Sequence, residues 1–112
     1  MKTRFLFSFA ALLVIPHLAL AATPTWTQTL SGPVDGASYG DVDGDGTYEI
    51  GVMVRGEPGE VVLMSHTGAV LWTHTASTAL VGFPTFGDFD GNGTEELVYC
   101  EGGTEAPCRV LN

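Results

Sequence analysis

Tyr39-Gly40-Asp41-Val42-Asp43-Gly44-Asp45-Gly46-Thr47-Tyr48-Glu49-Ile50 returns 47 residues later, without a gap, as Phe86-Gly87-Asp88-Phe89-Asp90-Gly91-Asn92-Gly93-Thr94-Glu95-Glu96-Leu97. The match runs on to Asn112: Val61-Val62-Leu63-Met64-Ser65 falls on Cys108-Arg109-Val110-Leu111-Asn112, and Met53 and Val61 fall on Cys100 and Cys108. A shift of 46 lays Trp26-Thr27-Gln28-Thr29 over Trp72-Thr73-His74-Thr75. The chain is therefore organised as a repeat, with bodies 39–75 and 86–112 and a partial unit over 25–29, the last strand of a preceding unit.

Around the acidic segments the apolar residues come in strand-length groups separated by Gly, Pro, Asp and Thr, with no helical period of useful length. One unit reads as a short strand over Ala37–Tyr39, the acidic loop, a strand over Ile50–Val54, a Gly/Pro turn, a strand over Val61–His66, the turn Thr67-Gly68 and a strand over Val70–Thr75. The expected fold of region 22–112 is all-β, built from antiparallel four-stranded units. A four-stranded period of roughly 40–50 residues is that of a β-propeller blade or a related β-repeat array. Propellers usually close with about four to eight blades, and fewer than two complete units are present. The expectation is thus the N-terminal part of a longer repeat protein. Open strand edges also invite self-association.

Each acidic loop presents side-chain oxygens at its positions 1, 3, 5 and 9: Asp41, Asp43, Asp45 and Glu49, then Asp88, Asp90, Asn92 and Glu96. Calcium takes roughly 6 to 8 oxygen ligands, backbone carbonyls among them. Alternating side chains converge when a loop winds tightly about one centre, and Gly46 and Gly93 at position 6 permit that turn. The carbonyls of Thr47 and Thr94 complete the predicted set. Two structural Ca2+ sites are expected, the second weaker because Asn92 removes a carboxylate. An EF-hand is excluded, because position 12 is Val52 or Tyr99 rather than Glu and the flanks are strands. Magnesium demands stricter octahedral geometry, and zinc would call for His or Cys. His66 and His74 have no third such ligand near them, and read as surface or turn residues.

With its flanks the loop resembles the FG-GAP/VCBS repeat family, whose D-x-D-x-D-G-x-x-D/E calcium loops lie between strands of integrin-α-like β-propellers. The resemblance rests on Tyr39–Ile50 and Phe86–Leu97 and extends more loosely over Trp26–Asn112, including the hairpin Val61–Trp72 with its terminal Trp. It implies that the loop positions above are the metal ligands. Asn92 in place of Asp, and the small number of blades, depart from the pattern.

Met1-Lys2-Thr3-Arg4, the apolar run Phe5–Ile15 and Ala19-Leu20-Ala21 have the layout of a secretory signal peptide over residues 1–21, with cleavage expected before Ala22. The expected location is secreted or periplasmic, with no membrane attachment after cleavage. Losing Lys2 and Arg4 takes the formal charge from −9 to −11, with Arg55 and Arg109 the remaining Lys/Arg residues against 13 acids. Nucleic acid is an unsuitable partner for such a chain, and bound divalent cations would relieve its self-repulsion. Cys100 and Cys108, in an oxidising compartment and on adjacent strands by the repeat alignment, are expected to pair.

No catalytic constellation emerges. Glu57, Glu60, Glu101 and Glu105 fall in Gly/Pro-rich turns and read as solvated charge, Glu95 and Glu96 point to opposite faces, and Ser65-His66 lacks a nucleophile-elbow pattern. Trp26, Trp72, Tyr39, Phe83, Phe86 and Phe89 read as packing between sheets before a sugar platform. The expected function is a secreted calcium-binding module for protein or carbohydrate interaction. The alternative is the non-catalytic part of a secreted polysaccharide lyase or hydrolase.

Overall fold

The computed structural model describes residues 22–112, so the signal peptide expected over residues 1–21 lies outside the described residues. The described chain is all-β. Its strands are β1 (Val34–Gly40), β2 (Glu49–Val54), β3 (Glu60–Met64), β4 (Val70–Thr75), β5 (Leu80–Gly87), β6 (Glu96–Glu101) and β7 (Cys108–Leu111). They form two antiparallel sheets, four-stranded in the order β1-β2-β3-β4 and three-stranded in the order β5-β6-β7. The 47-residue offset survives in the pairing. Tyr39 faces Ile50 and Gly40 faces Glu49 in the first sheet, as Phe86 faces Leu97 and Gly87 faces Glu96 in the second.

β2 and β3 are buried along almost their whole length. Successive side chains on a strand point to opposite faces, so these strands must be covered on both sides. Val52, Val54, Val62 and Met64 pack with Trp26 and Leu30. Met53, Val61 and Leu63 cluster with Leu97 and Tyr99 of the second sheet, with Trp72, Phe86 and Leu111 against them. The sheets are thus stacked face to face, which is why a short repeat rich in Val, Leu and Met folds at all.

The stack is close where Phe86 lies over two glycines of the first sheet. A Cβ on Gly40 would stand 2.4 Å from Phe86 Cγ, and one on Gly51 would stand 2.5 Å from Leu97 Cδ1 and 2.9 Å from Phe86 Cζ. Any side chain there would push the sheets apart.

Strand boundaries differ from expectation at β1, which begins at Val34 rather than Ala37. The Arg55 amide donates to the Pro33 carbonyl (2.7 Å) and its guanidinium pairs with Asp35, extending the ladder through an irregularity between Val34 and Gly36. β3 stops at Met64 because Ser65 closes the turn, its amide donating to the Ala69 carbonyl at 2.8 Å. Trp26–Thr29, expected as a strand, belongs to no sheet. Its pairing neighbour would be the third strand of a preceding unit.

Cys100 and Cys108 face each other across β6 and β7 and form a disulfide, with their Cα atoms 4.0 Å apart. Closing a loop with a sequence separation of only 8 removes a modest amount of unfolded-chain entropy. Replacing both cysteines by alanine is expected to cost about 2–3 kcal/mol, read as a lower urea midpoint with the slope unchanged.

Candidate metal centre

Each acidic loop bridges the first two strands of its sheet, β1 to β2 and β5 to β6, and is shaped by its own backbone amides. In the first, Asp41 Oδ1 accepts from the amides of Gly44 (2.8 Å) and Asp45 (3.2 Å), and Asp41 Oδ2 accepts from that of Gly46 (3.0 Å). In the second, Asp88 Oδ1 accepts from Gly91 (2.7 Å) and Asn92 (3.0 Å), and Asp88 Oδ2 from Gly93 (2.9 Å). This winding needs left-handed backbone at Gly44 and Gly46 (φ 74° and 87°) and at Gly91 and Gly93 (φ 76° and 93°). Glycine adopts it at little steric cost.

The winding brings two carboxylate triads together. Asp41, Asp43 and Glu49 each offer an oxygen within 4.8 Å of the others, as do Asp88, Asp90 and Glu96, and either triad could hold a metal ion. The glutamates come from the first residues of β2 and β6 and are only 3% exposed. Glu49 Oε2 accepts from the Val42 amide (3.1 Å) and Glu96 Oε2 from the Phe89 amide (2.8 Å). Among the described residues the cationic side chains Arg55 and Arg109 pair with Asp35 and Glu101. Neither neutralises a triad.

The position-5 residues are placed differently from the triads. Asp45 Oδ1 accepts from the amide (2.7 Å) and the hydroxyl (2.6 Å) of Thr47, and Asn92 Oδ1 accepts from the same groups of Thr94 at 2.8 and 2.6 Å. The Thr47 hydroxyl, followed by its amide, holds the Asp45 carboxyl below the ordinary carboxylate range. Asp45 stands outside the triad. In the second loop the Asn92 amide nitrogen also donates to Asp90 Oδ2 at 3.0 Å, a bond with no counterpart in the first.

Glu95 was not among the expected site residues, yet it ties the loops together. Its Oε2 accepts from the Asp41 amide at 2.7 Å, and its own amide donates to the Asp41 carbonyl at 3.2 Å. The first residue of one loop is thereby clasped by the eighth of the other. The repeat equivalent of Glu95 is Tyr48, which instead meets Tyr39 edge to face with ring centroids 5.3 Å apart.

A second polar cluster corrects the reading of Glu101 as a solvated turn residue. Glu101 lies in β6 and is 1% exposed. Its Oε1 accepts from Arg109 Nε (2.7 Å) and Tyr99 Oη (3.3 Å), and its Oε2 from the Ser77 amide (3.2 Å). Tyr99 Oη also bonds His74 Nε2 at 2.8 Å, so His74 is a half-buried strand residue joining the two sheets rather than a surface one. Sliding the sequence by 47 could have found this cluster, because Glu101 and Arg109 replace Val54 and Val62, both buried in the first sheet. With these partners on both oxygens, Glu101 is a structural anchor. Glu60 also departs from that reading, for it opens β3 opposite Val54, is half-buried and accepts from the Ser31 hydroxyl, whereas Glu57 and Glu105 are exposed as expected. The aromatic expectation divides. Trp26, Trp72 and Phe86 pack against the clusters, whereas Tyr39, Phe83 and Phe89 are 67%, 70% and 57% exposed.

The Arg109 guanidinium, by its hydrogen bond, holds the Glu101 carboxyl below its ordinary value. A depressed folded-state value gives stability that is fully present above the unfolded carboxylate range and is lost as pH falls through the folded value. In chelator, the melting temperature of the wild type is therefore expected to decline in acid more steeply than that of Glu101→Gln. The variant melts lower at neutral pH, and the two curves converge in strong acid. Parallel curves would show that the pair adds nothing to stability.

No family model matches the chain, and no curated protein and no solved structure matches it. The chemistry of the site therefore rests on its own residues.

Proposed function

We propose that this protein is an exported, calcium-binding β-repeat module of the FG-GAP/VCBS type. In this reading two calcium ions rigidify the interstrand loops, and the stacked sheets present a surface to a protein or glycan partner. The observation that carries the proposal is the pair of equivalent triads, each with one nearly buried glutamate and, among the described residues, no lysine or arginine paired with it. Crowding two exposed or half-buried aspartates against a buried glutamate without a counter-charge is unfavourable, and a divalent cation supplies that charge. An all-oxygen donor set favours a hard cation, and an irregular loop suits calcium's variable coordination better than magnesium's octahedron. Asp41, Asp43, Asp45 and Glu49, with the Thr47 carbonyl, would hold one ion. Asp88, Asp90, Asn92 and Glu96, with the Thr94 carbonyl, would hold the other. The layout of residues 1–21 and the cysteine pair support export.

Calorimetric titration of the purified protein tests the proposal. Two calcium sites are expected, with magnesium binding far more weakly, and Glu49→Gln and Glu96→Gln are each expected to remove one. The second site is expected to be the weaker, because Asn92 contributes no charge and its amide competes for Asp90. An Asn92→Asp substitution should narrow the gap. Absence of binding at millimolar calcium would sink the reading.

A further inference from the structure

The two acidic loops lie against each other. Gly44, at position 4 of the first loop, faces Thr94 of the second, so that a Cβ on it would stand 3.4 Å from Thr94 Cγ2. Beside that contact the Glu95 amide donates to the Asp41 carbonyl at 3.2 Å, and Glu95 Oε2 accepts from the Asp41 amide at 2.7 Å. Asp41 thus has both of its main-chain polar groups bonded to one residue of the other loop, while its carboxylate belongs to its own triad.

Glu95 in turn stands between two residues of the second site. The peptide unit that carries its N–H is the one whose oxygen is the Thr94 carbonyl, a member of the set that would hold the second ion. The residue after it is Glu96, the buried carboxylate of that triad, anchored by the Phe89 amide at 2.8 Å. A trans peptide is planar and points its oxygen and its hydrogen to opposite sides. The Thr94–Glu95 peptide therefore has one end for its own loop and the other for the first residue of the neighbouring loop.

We propose that the two calcium sites bind cooperatively and that the Glu95–Asp41 clasp carries the coupling, an inference that rests on the calcium reading above. With the second loop occupied, the Thr94 carbonyl and the Glu96 carboxylate are held, and Glu95 is fixed from both flanks. It then presents a fixed donor and a fixed acceptor to Asp41, whose carboxylate opens the first site. The shared clasp is ordered once, on the first binding event, and the second meets a site already organised. Linkage makes the effect equal in both directions. Direct repulsion between the ions acts the other way, and is screened between exposed loops over a Debye length of about 8 Å at physiological ionic strength.

Calcium titration calorimetry at about 0.15 M salt tests this on the purified wild type, Glu96→Gln and Glu49→Gln. Each variant keeps one site and gives its association constant with the other site empty. The product of the two wild-type stepwise constants is expected to exceed the product of those single-site constants about tenfold, a factor usual for coupled sites. In a Glu95→Ala background the same comparison is expected to fall below about threefold, because only the main-chain half of the clasp remains. Glu95→Gln keeps an acceptor for the Asp41 amide and should retain most of the factor. A role in folding alone would move the single-site constants and leave the factor unchanged. Two calcium sites with equal products overturn the coupling and leave the calcium reading standing. A factor that persists in Glu95→Ala, or is lost in Glu95→Gln, overturns the part assigned to the clasp. No calcium binding by the wild type removes the reading itself, and the coupling with it.

Discussion

Saturating calcium is expected to raise the melting temperature of the metal-free protein by about 10 °C or more, and Glu49→Gln combined with Glu96→Gln is expected to remove the rise. A ligand that binds only the folded state stabilises it by about 2.7 kcal/mol per site at a free concentration 100 times its Kd. In a domain this small each kcal/mol moves the midpoint by roughly 4–8 °C. The glutamates are the informative positions because they are the buried members of their triads, and glutamine keeps their volume while removing their charge. The sign in chelator is equally diagnostic. Without metal the wild type crowds uncompensated carboxylates, so the double variant should melt no lower than the wild type, and above it if repulsion dominates. A double variant that melts well below the wild type in chelator, with no calcium response in either, would mean that the glutamates serve only as acceptors for the Val42 and Phe89 amides.

Leu97→Ala is expected to cost about 3 kcal/mol, while Val110→Ala is expected to change stability by less than about 0.5 kcal/mol. Leu97 has no exposed surface, follows Glu96 directly and reaches across the stack onto Gly51. Its loss opens a cavity between two sheets whose glycines fix their spacing, leaving little freedom to collapse. Val110 is 52% exposed on β7. Urea unfolding reads both, and since a small domain holds only about 5–15 kcal/mol, the first substitution removes a large share of the total. Similar costs for the two would contradict the assigned inner and outer faces of the second sheet.

Much of this was legible in the sequence because one offset carried it. Aligning Asp41 with Asp88 fixes which residues begin β2 and β6, puts Gly46 and Gly93 at equivalent left-handed positions, and sets Cys100 opposite Cys108. Interactions that exist in only one copy were harder to see. Glu101 looked solvated because Gly102 and Gly103 follow it, and only its partners across the fold, Arg109, Tyr99 and Ser77, make burial tolerable. The clasp by Glu95 was hidden for a related reason: its copy in the first repeat is Tyr48, so the repeat gives no hint that position 8 reaches a neighbouring unit. Trp26–Thr29 was recognisable as strand sequence, but a strand needs a neighbour with a free edge, and none lies beside it within the described chain.

The clasp between Glu95 and Asp41 has a geometric consequence. Two hydrogen bonds running in opposite directions between the same two residues resist rotation as well as separation, so they set the angle by which one sheet is turned against the next. Because Tyr48 holds the equivalent position in the first repeat, the device belongs to this one junction. Replacing Glu95 would remove the side-chain half of the clasp and leave the main-chain bond to the Asp41 carbonyl, so the two sheets would pivot about one point instead of being held at two.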